Sequence, residues 1–336
     1  MRKPDFNQIM KVLRLEAPDR PTLFEFFLNG ALYGHLAGEE AFHFTYPYTA
    51  TPALTAKAFA AAGYDYATIH ASTFSFPTMS KAERARAATY SANEAVSITN
   101  REDFDAYPWP NPDEFDYSAI HNADTPEGMK FMVAGPSGVL ENVVHLIGYD
   151  NLALMIYDDE QLVYDIFEAV GSRLVRYYEI AVKSPAIGLL MSNDDWGFNT
   201  QTMLSPKDMR RFLFPWHKKI VEVAHNHDLP ALLHSCGNLS AVMDDIIDHL
   251  KYDGKHSYED NIQPVEEAHV QYGHRIATLG GIDMNFVVSK TPAEITARCR
   301  KMLEIGKKGY ALGTGNSVPE YVPWENYFAM TKAALE

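Results

Sequence analysis

The sequence predicts a single (β/α)8 barrel, the TIM-barrel class of α/β fold, with an irregular insertion after its second strand. Three observations carry this. Eight short apolar runs alternate with helix-forming stretches, at about 42 residues per unit over the 336-residue chain. A doubly wound sheet would show a glycine-rich nucleotide fingerprint after its first strand, whereas Gly135-Pro136-Ser137-Gly138 and Gly313-Thr314-Gly315-Asn316 read as turns. Ionisable side chains collect where the apolar runs stop, which is where a barrel keeps its active site.

Residues 1–20 read as an amphipathic lead-in helix with Ile9, Val12 and Leu13 on one side. Residues 22–27 are the first strand, apolar except for Glu25. A helix over 55–62 is closed by Gly63, and the second strand, 64–70, ends in His70. Residues 71–128, with Phe74-Ser75-Phe76-Pro77 and Tyr107-Pro108-Trp109-Pro110, are long and irregular, as a lid or insertion is. The third strand is 130–135. A helix over 160–182 leads to the fourth, 186–192, which stops at Asn193-Asp194-Asp195. Ser205-Pro206 has the form of an N-cap with proline in the first turn, opening a long helix through Asn226. The fifth strand, 231–233, runs into His234-Ser235-Cys236-Gly237-Asn238. A weaker sixth strand is expected at 255–260, a seventh at 275–281 and an eighth at 310–315, and Thr291-Pro292-Ala293-Glu294 is a capping box for a helix ending near Gly306.

Composition narrows the function classes. A net charge of −15 argues against nucleic acid or an anionic membrane as partner. Nineteen Tyr, eighteen Phe and four Trp point to an aromatic-lined cavity. Two cysteines, Cys236 and Cys299, are too few for a disulfide scaffold and fit a reducing cytoplasm. The N-terminus has no apolar h-region of a signal peptide, and no apolar run reaches the ~18 residues of a membrane span.

The strand ends supply Glu25, His70, Asp194, Asp195, His234, Cys236, Glu259, Asp260 and Asp283. Lys130, Lys255 and Arg275 fall at strand starts, on the opposite face. Carboxylates, imidazoles and a thiol without a basic side chain call for a bound cation. His234 and Cys236, two apart on extended backbone, point the same way and are soft ligands suited to zinc. For each acid the bland reading is a helix N-cap, expected of Asp283 and of one of Asp194 and Asp195. For His70 it is a core histidine.

Leu233-His234-Ser235-Cys236-Gly237-Asn238, Gly280-Gly281-Ile282-Asp283-Met284, Thr291-Pro292-Ala293-Glu294, Gly313-Thr314-Gly315-Asn316-Ser317-Val318-Pro319 and Pro323-Trp324-Glu325-Asn326 together resemble the uroporphyrinogen decarboxylase superfamily, clearly over about residues 185–336. The resemblance implies the same barrel. True decarboxylases carry an arginine motif near the N-terminus, and residues 27–33 here have none; Asp65 stands where the decarboxylase's catalytic aspartate is expected. The resemblance is nearer to the zinc- and corrinoid-dependent methyltransferases, whose metal is held by H-x-C, an acid one strand on and a cysteine in the last strand-end loop. It implies zinc on His234, Cys236 and Glu259, with Asn316 replacing the last cysteine and leaving an open position. Glu25, Asp194 and Asp195 are then candidates for orienting substrate or protonating a leaving group, and His70 and Asn316 for binding it. The expected partners are a small methyl donor or acceptor and a corrinoid on a separate carrier protein, with a homodimer as one admissible assembly. The rival expectations are uroporphyrinogen decarboxylation and a non-catalytic ligand-binding barrel.

Overall fold

The computed structural model describes residues 2–38, 51–77 and 96–336. Its centre is a curled, wholly parallel seven-stranded sheet in sequential order: β1 Tyr66–His70, β2 Lys130–Ala134, β3 Ile187–Asn193, β4 Ala231–His234, β5 Gly254–His256, β6 Ala277–Leu279 and β7 Tyr310–Ala311. These strands are buried along nearly their whole length, which is why they read as continuous apolar runs rather than alternating ones. Helices cover the sheet between strands, among them Val139–Ile147, Glu160–Ala181, Phe214–His225 and Pro292–Ile305. Thr291 and Glu294 form the expected capping box. No single helix among the described residues is long and apolar enough to cross a membrane.

Register fixes the site. His70 pairs with Ala134, Asn193 with His234, His234 with His256, and His256 with Leu279. The two central histidines are therefore neighbours in one row at the carboxyl edge of the sheet.

The expected first strand, 22–27, is reduced to a bridge. Leu23 pairs in parallel with Leu312, through Phe24 N–H to the Leu312 carbonyl (2.7 Å) and Leu312 N–H to the Thr22 carbonyl (2.8 Å). Beyond it the Tyr66 hydroxyl takes the Glu25 N–H (2.7 Å) and donates to the Glu25 carbonyl (2.6 Å). A phenol from β1 thus satisfies the backbone groups that a strand ladder would use. Among the described residues the eight regular strands of the sequence reading become seven.

Three further expectations change. The sixth expected strand, 255–260, stops at His256, because Ser257 adopts a left-handed φ of 81° that cannot continue a ladder. Glu259 therefore lies in the turn beyond the strand. The helix expected from Ser205 through Asn226 is present but passes through a wide turn at Met209–Leu213, where Pro215 cannot donate to the Arg211 carbonyl. Lys255 is not on the opposite face, as the site below shows. Of the expected insertion, residues 78–95 lie outside the described residues; its remainder carries short helices at Arg101–Ala106 and Ser118–His121.

Candidate metal centre

The end of β4 and the loops after β3 and β4 bring His234, Asp195 and Cys236 together, with one ligand atom of each inside a common 4.8 Å. His234 Nε2 is 3.7 Å from Cys236 Sγ and 3.9 Å from Asp195 Oδ1. Tetrahedral zinc, at bond lengths of about 2.0–2.3 Å, needs ligand atoms roughly 3.3–3.6 Å apart, so both His234 contacts lie within tenths of an ångström of that geometry. A carboxylate, an imidazole and a thiol are the donor chemistry zinc takes, and three protein ligands leave the open position of a catalytic site. The loops are pinned to each other. Cys236 N–H donates to Asp195 Oδ1 (2.8 Å) and Asn238 N–H to the Phe198 carbonyl (2.8 Å). Gly237, at φ 84°, lets this happen: a Cβ there would sit 2.1 Å from the Gly197 carbonyl oxygen.

A relay behind His234 sets its proton. His256 Nε2 lies 3.1 Å from the Thr314 carbonyl, which only accepts, so that nitrogen carries the hydrogen. His256 Nδ1 is then an acceptor, and His234 Nδ1, 2.8 Å away, must donate to it. This leaves His234 Nε2 with a bare lone pair directed at Cys236 and Asp195, the tautomer a metal ligand requires. Burial, with Lys255 nearby, pushes the His234 pKa down to about 3, so the ring stays neutral. Gly280, at φ 66°, makes room for the relay, since a Cβ there would meet the Thr314 carbonyl at 2.2 Å and the His256 ring at 2.9 Å. Phe26 lies against His234 (centroids 4.6 Å apart) and Phe27 stacks on His70 (5.2 Å), with 4.3 Å between the two phenylalanines. The row His70, Phe27, Phe26, His234 forms an aromatic wall beside the centre.

Cys236 sulfur accepts from Ser257 Oγ (3.3 Å) and Asn316 Nδ2 (3.3 Å). Two donors favour a thiolate, but burial, with Asp195 beside it, outweighs them and pushes the thiol well up. A cation is what would bring that proton off. Lys255 is buried beneath these loops, its ammonium donating to the carbonyls of Ser257 (2.6 Å), Ser235 (3.3 Å) and His256 (3.4 Å) and lying 4.4 Å from the Tyr258 ring centre. Extended backbone at β5 sends His256 and Lys255 to opposite faces, but Lys255 reaches up to the carboxyl edge, correcting its expected place. Burial lowers its pKa to about 8. Glu259 stands outside the 4.8 Å group; its Oε1 takes the Gly237 N–H at 3.3 Å. From there it adds negative charge beside Cys236 and Lys255.

The remaining candidates divide by what their carboxylates touch. Asp194 is fully buried: Oδ2 accepts from Leu140 N–H (2.9 Å) and meets His217 Nε2 (2.8 Å), while Oδ1 accepts from Glu141 N–H (2.9 Å). It caps the helix Val139–Ile147 and is used up in the fold. Asp283 caps Met284–Ser289, as expected. Asp260 is held by the Arg298 guanidinium (2.6 and 2.7 Å). Glu25 is wholly buried against Thr314, where burial raises its pKa to about 8. His70 closes β1 with its ring bonded to the Ala134 backbone and its pKa lowered to about 3 by burial. Sequence reasoning passed over His256 and Glu141. The first lies in a run that reads only as a weak strand. Glu141, whose Oε2 takes the Gly138 N–H (3.0 Å), is a third acid at the site, pushed strongly up by burial and then by Asp195 and Asp194.

The chain resembles a methyltransferase from Methanosarcina mazei in fold, at a TM-score of 0.67 and 15% identity, over 99% of this chain and 98% of that one. A structure from Listeria monocytogenes assigned as a vitamin-B12-independent methionine synthase aligns more loosely, at a TM-score of 0.48 and 14% identity, over 94% and 96%. No curated protein matches the sequence. The family model for uroporphyrinogen decarboxylase (URO-D) matches residues 128–336, which takes in β2 through β7 and every member of the candidate centre, and by that match the chain belongs to the URO-D family.

Proposed function

We propose that this protein is a metal-dependent methyltransferase that moves a methyl group between a small substrate and a corrinoid held by a separate carrier protein. The observation that carries the reading is the Asp195, His234, Cys236 set with the His234 lone pair already turned toward it. Zinc bound there would act as a Lewis acid on the oxygen or sulfur that loses or gains the methyl group. His234 supplies a neutral nitrogen fixed by His256. Cys236 would give up its proton on metal uptake, and Ser257 and Asn316 would hold the resulting sulfur charge. Asp195, whose side chain is 42% exposed, faces the opening, so it can meet substrate as well as metal. Phe26, Phe27 and His70 give an aromatic wall suited to the methyl-bearing part of the substrate. We also read the curled sheet as a TIM-type barrel whose eighth staves are the residues around Leu23. Glu259 is proposed as a ligand or charge partner recruited from the next turn, 3.3 Å from Gly237 N.

Uroporphyrinogen decarboxylation is the weaker reading. Asp65, its expected catalytic acid, accepts from Arg20 (2.6 Å) and Asp5 N–H (2.8 Å) at the amino end of β1, the opposite end of the sheet from the centre. Lys255, the cation beneath the site, already donates to three carbonyls, which leaves little to greet a polycarboxylate.

The test is spectroscopic. Zinc-loaded protein with its cognate carrier should convert cob(I)alamin to methylcobalamin with one class among methoxylated aromatics, methanol, methylamines and methyl thioethers, and chelator should abolish it. Inertness toward the whole panel with carrier supplied contradicts the proposal.

A further inference from the structure

Glu25 is a carboxyl with no exposed surface and no cation among the groups acting on it. Its Oε1 lies 2.6 Å from the Thr314 hydroxyl and its Oε2 accepts the Thr314 N–H at 3.3 Å. The same hydroxyl touches the Asn316 carbonyl oxygen. A hydroxyl has one proton, and a carbonyl can only accept. When Thr314 donates to Asn316, the 2.6 Å contact to Glu25 needs a second proton, and only the carboxyl can carry it. Thr314 is therefore a hub. Its N–H and hydroxyl face Glu25, its hydroxyl closes the turn onto Asn316, and its carbonyl holds His256.

Resting on the metal-centre reading above, we propose that Glu25 is a positioning residue kept as a neutral carboxylic acid, which locks the Thr314–Asn316 turn and through the Thr314 carbonyl fixes the ring protons of His256 and His234. It never meets the substrate. Full burial and the crowding of the Thr314 hydroxyl between two oxygens favour the uncharged state, and the pKa raised to about 8 by burial agrees with it. This replaces a catalytic role for Glu25 with an indirect one. The same turn presents Asn316 Nδ2 to the Cys236 sulfur, so one carboxyl orders the His256 and the Asn316 contacts behind the centre.

Glu25→Gln and Glu25→Ala separate the roles, because the amide reproduces one donor and one acceptor without charge. Two readouts are made on full-length protein: the ¹⁵N ring signals of His234 and His256 in the metal-free state, and zinc affinity by competition with a chromophoric chelator. Wild type and E25Q should share one pattern, with pyridine-type Nε2 on His234 and Nε2–H on His256, and should bind zinc alike. E25A should mix the tautomers and lose roughly 10–100-fold in zinc affinity, the usual effect of removing a group that orients a ligand. Should E25A fail to fold, infrared difference spectra of wild type and E25Q near pH 6 decide the matter, since wild type must carry the carbonyl stretch of one protonated carboxyl that E25Q lacks. The idea is overturned if that stretch is missing in wild type, if E25Q loses the tautomer pattern, or if a folded E25A keeps it. Failure of zinc to bind any variant would sink the metal reading alone, since the ring signals are read without metal.

Discussion

His234 and His256 meet nitrogen to nitrogen, Nδ1 to Nδ1 at 2.8 Å, and the Thr314 carbonyl beyond them decides which ring owns the shared proton. Parallel register places the two residues side by side on β4 and β5, so the contact is built into the sheet rather than into a loop. The consequence is a ligand nitrogen prepared before any metal arrives.

Replacing His256 with phenylalanine keeps an aromatic body but removes the acceptor that holds the His234 proton. Zinc affinity should fall about 10–100-fold while the far-ultraviolet circular dichroism stays unchanged. Chelator competition measures it, and an unchanged affinity would show that the relay does not prepare the ligand.

Asp194 and Asp195 are neighbours with opposite duties. Asp194→Ala strips the cap from Val139–Ile147 and leaves His217 buried without its carboxylate, a loss of about 3–5 kcal/mol. Asp195→Asn should leave the melting temperature of the metal-free protein almost unchanged and lower metal content. Thermal unfolding and metal analysis on the two variants should give opposite patterns; matching patterns would refute the division.

Glu25 should leave a signature in stability against pH. Its folded pKa is raised from an ordinary 4.5 to about 8, so its contribution is fully present below 4.5 and is lost as pH rises through 8. Across that window wild type should lose about 1.4 kcal/mol per pH unit relative to Glu25→Gln, which has no such proton to release. Denaturant unfolding of the metal-free proteins at a series of pH values tests this. Parallel curves would mean that Glu25 is ionised in the fold.

How far this was legible in the sequence depends on range. The His234 and Cys236 pair could be read because their spacing is local and a short apolar run precedes it. Most strand positions were legible for the same reason, as buried parallel strands leave plain apolar runs. That Asp195 rather than Asp194 faces the centre could not be read, because it turns on Leu140 and Glu141 offering their N–H groups from about fifty residues away. The lost first strand depends on the Tyr66 hydroxyl, and the early end of β5 on the left-handed turn at Ser257. His256 carries no mark in the sequence because its importance lies wholly in its cross-strand neighbour. Lys255 was misplaced because a long flexible side chain can end far from where its strand position suggests.

The central claim is that Asp195, His234 and Cys236 hold a divalent metal, and the most direct measurement is zinc content by mass spectrometry after metal removal and reloading, in wild type and Cys236→Ser. The account predicts about one zinc per chain in wild type and loss of most of it in C236S, with circular dichroism and melting of the two metal-free proteins alike, since a catalytic site contributes little to a core of this size. Full zinc retention by folded C236S would contradict it.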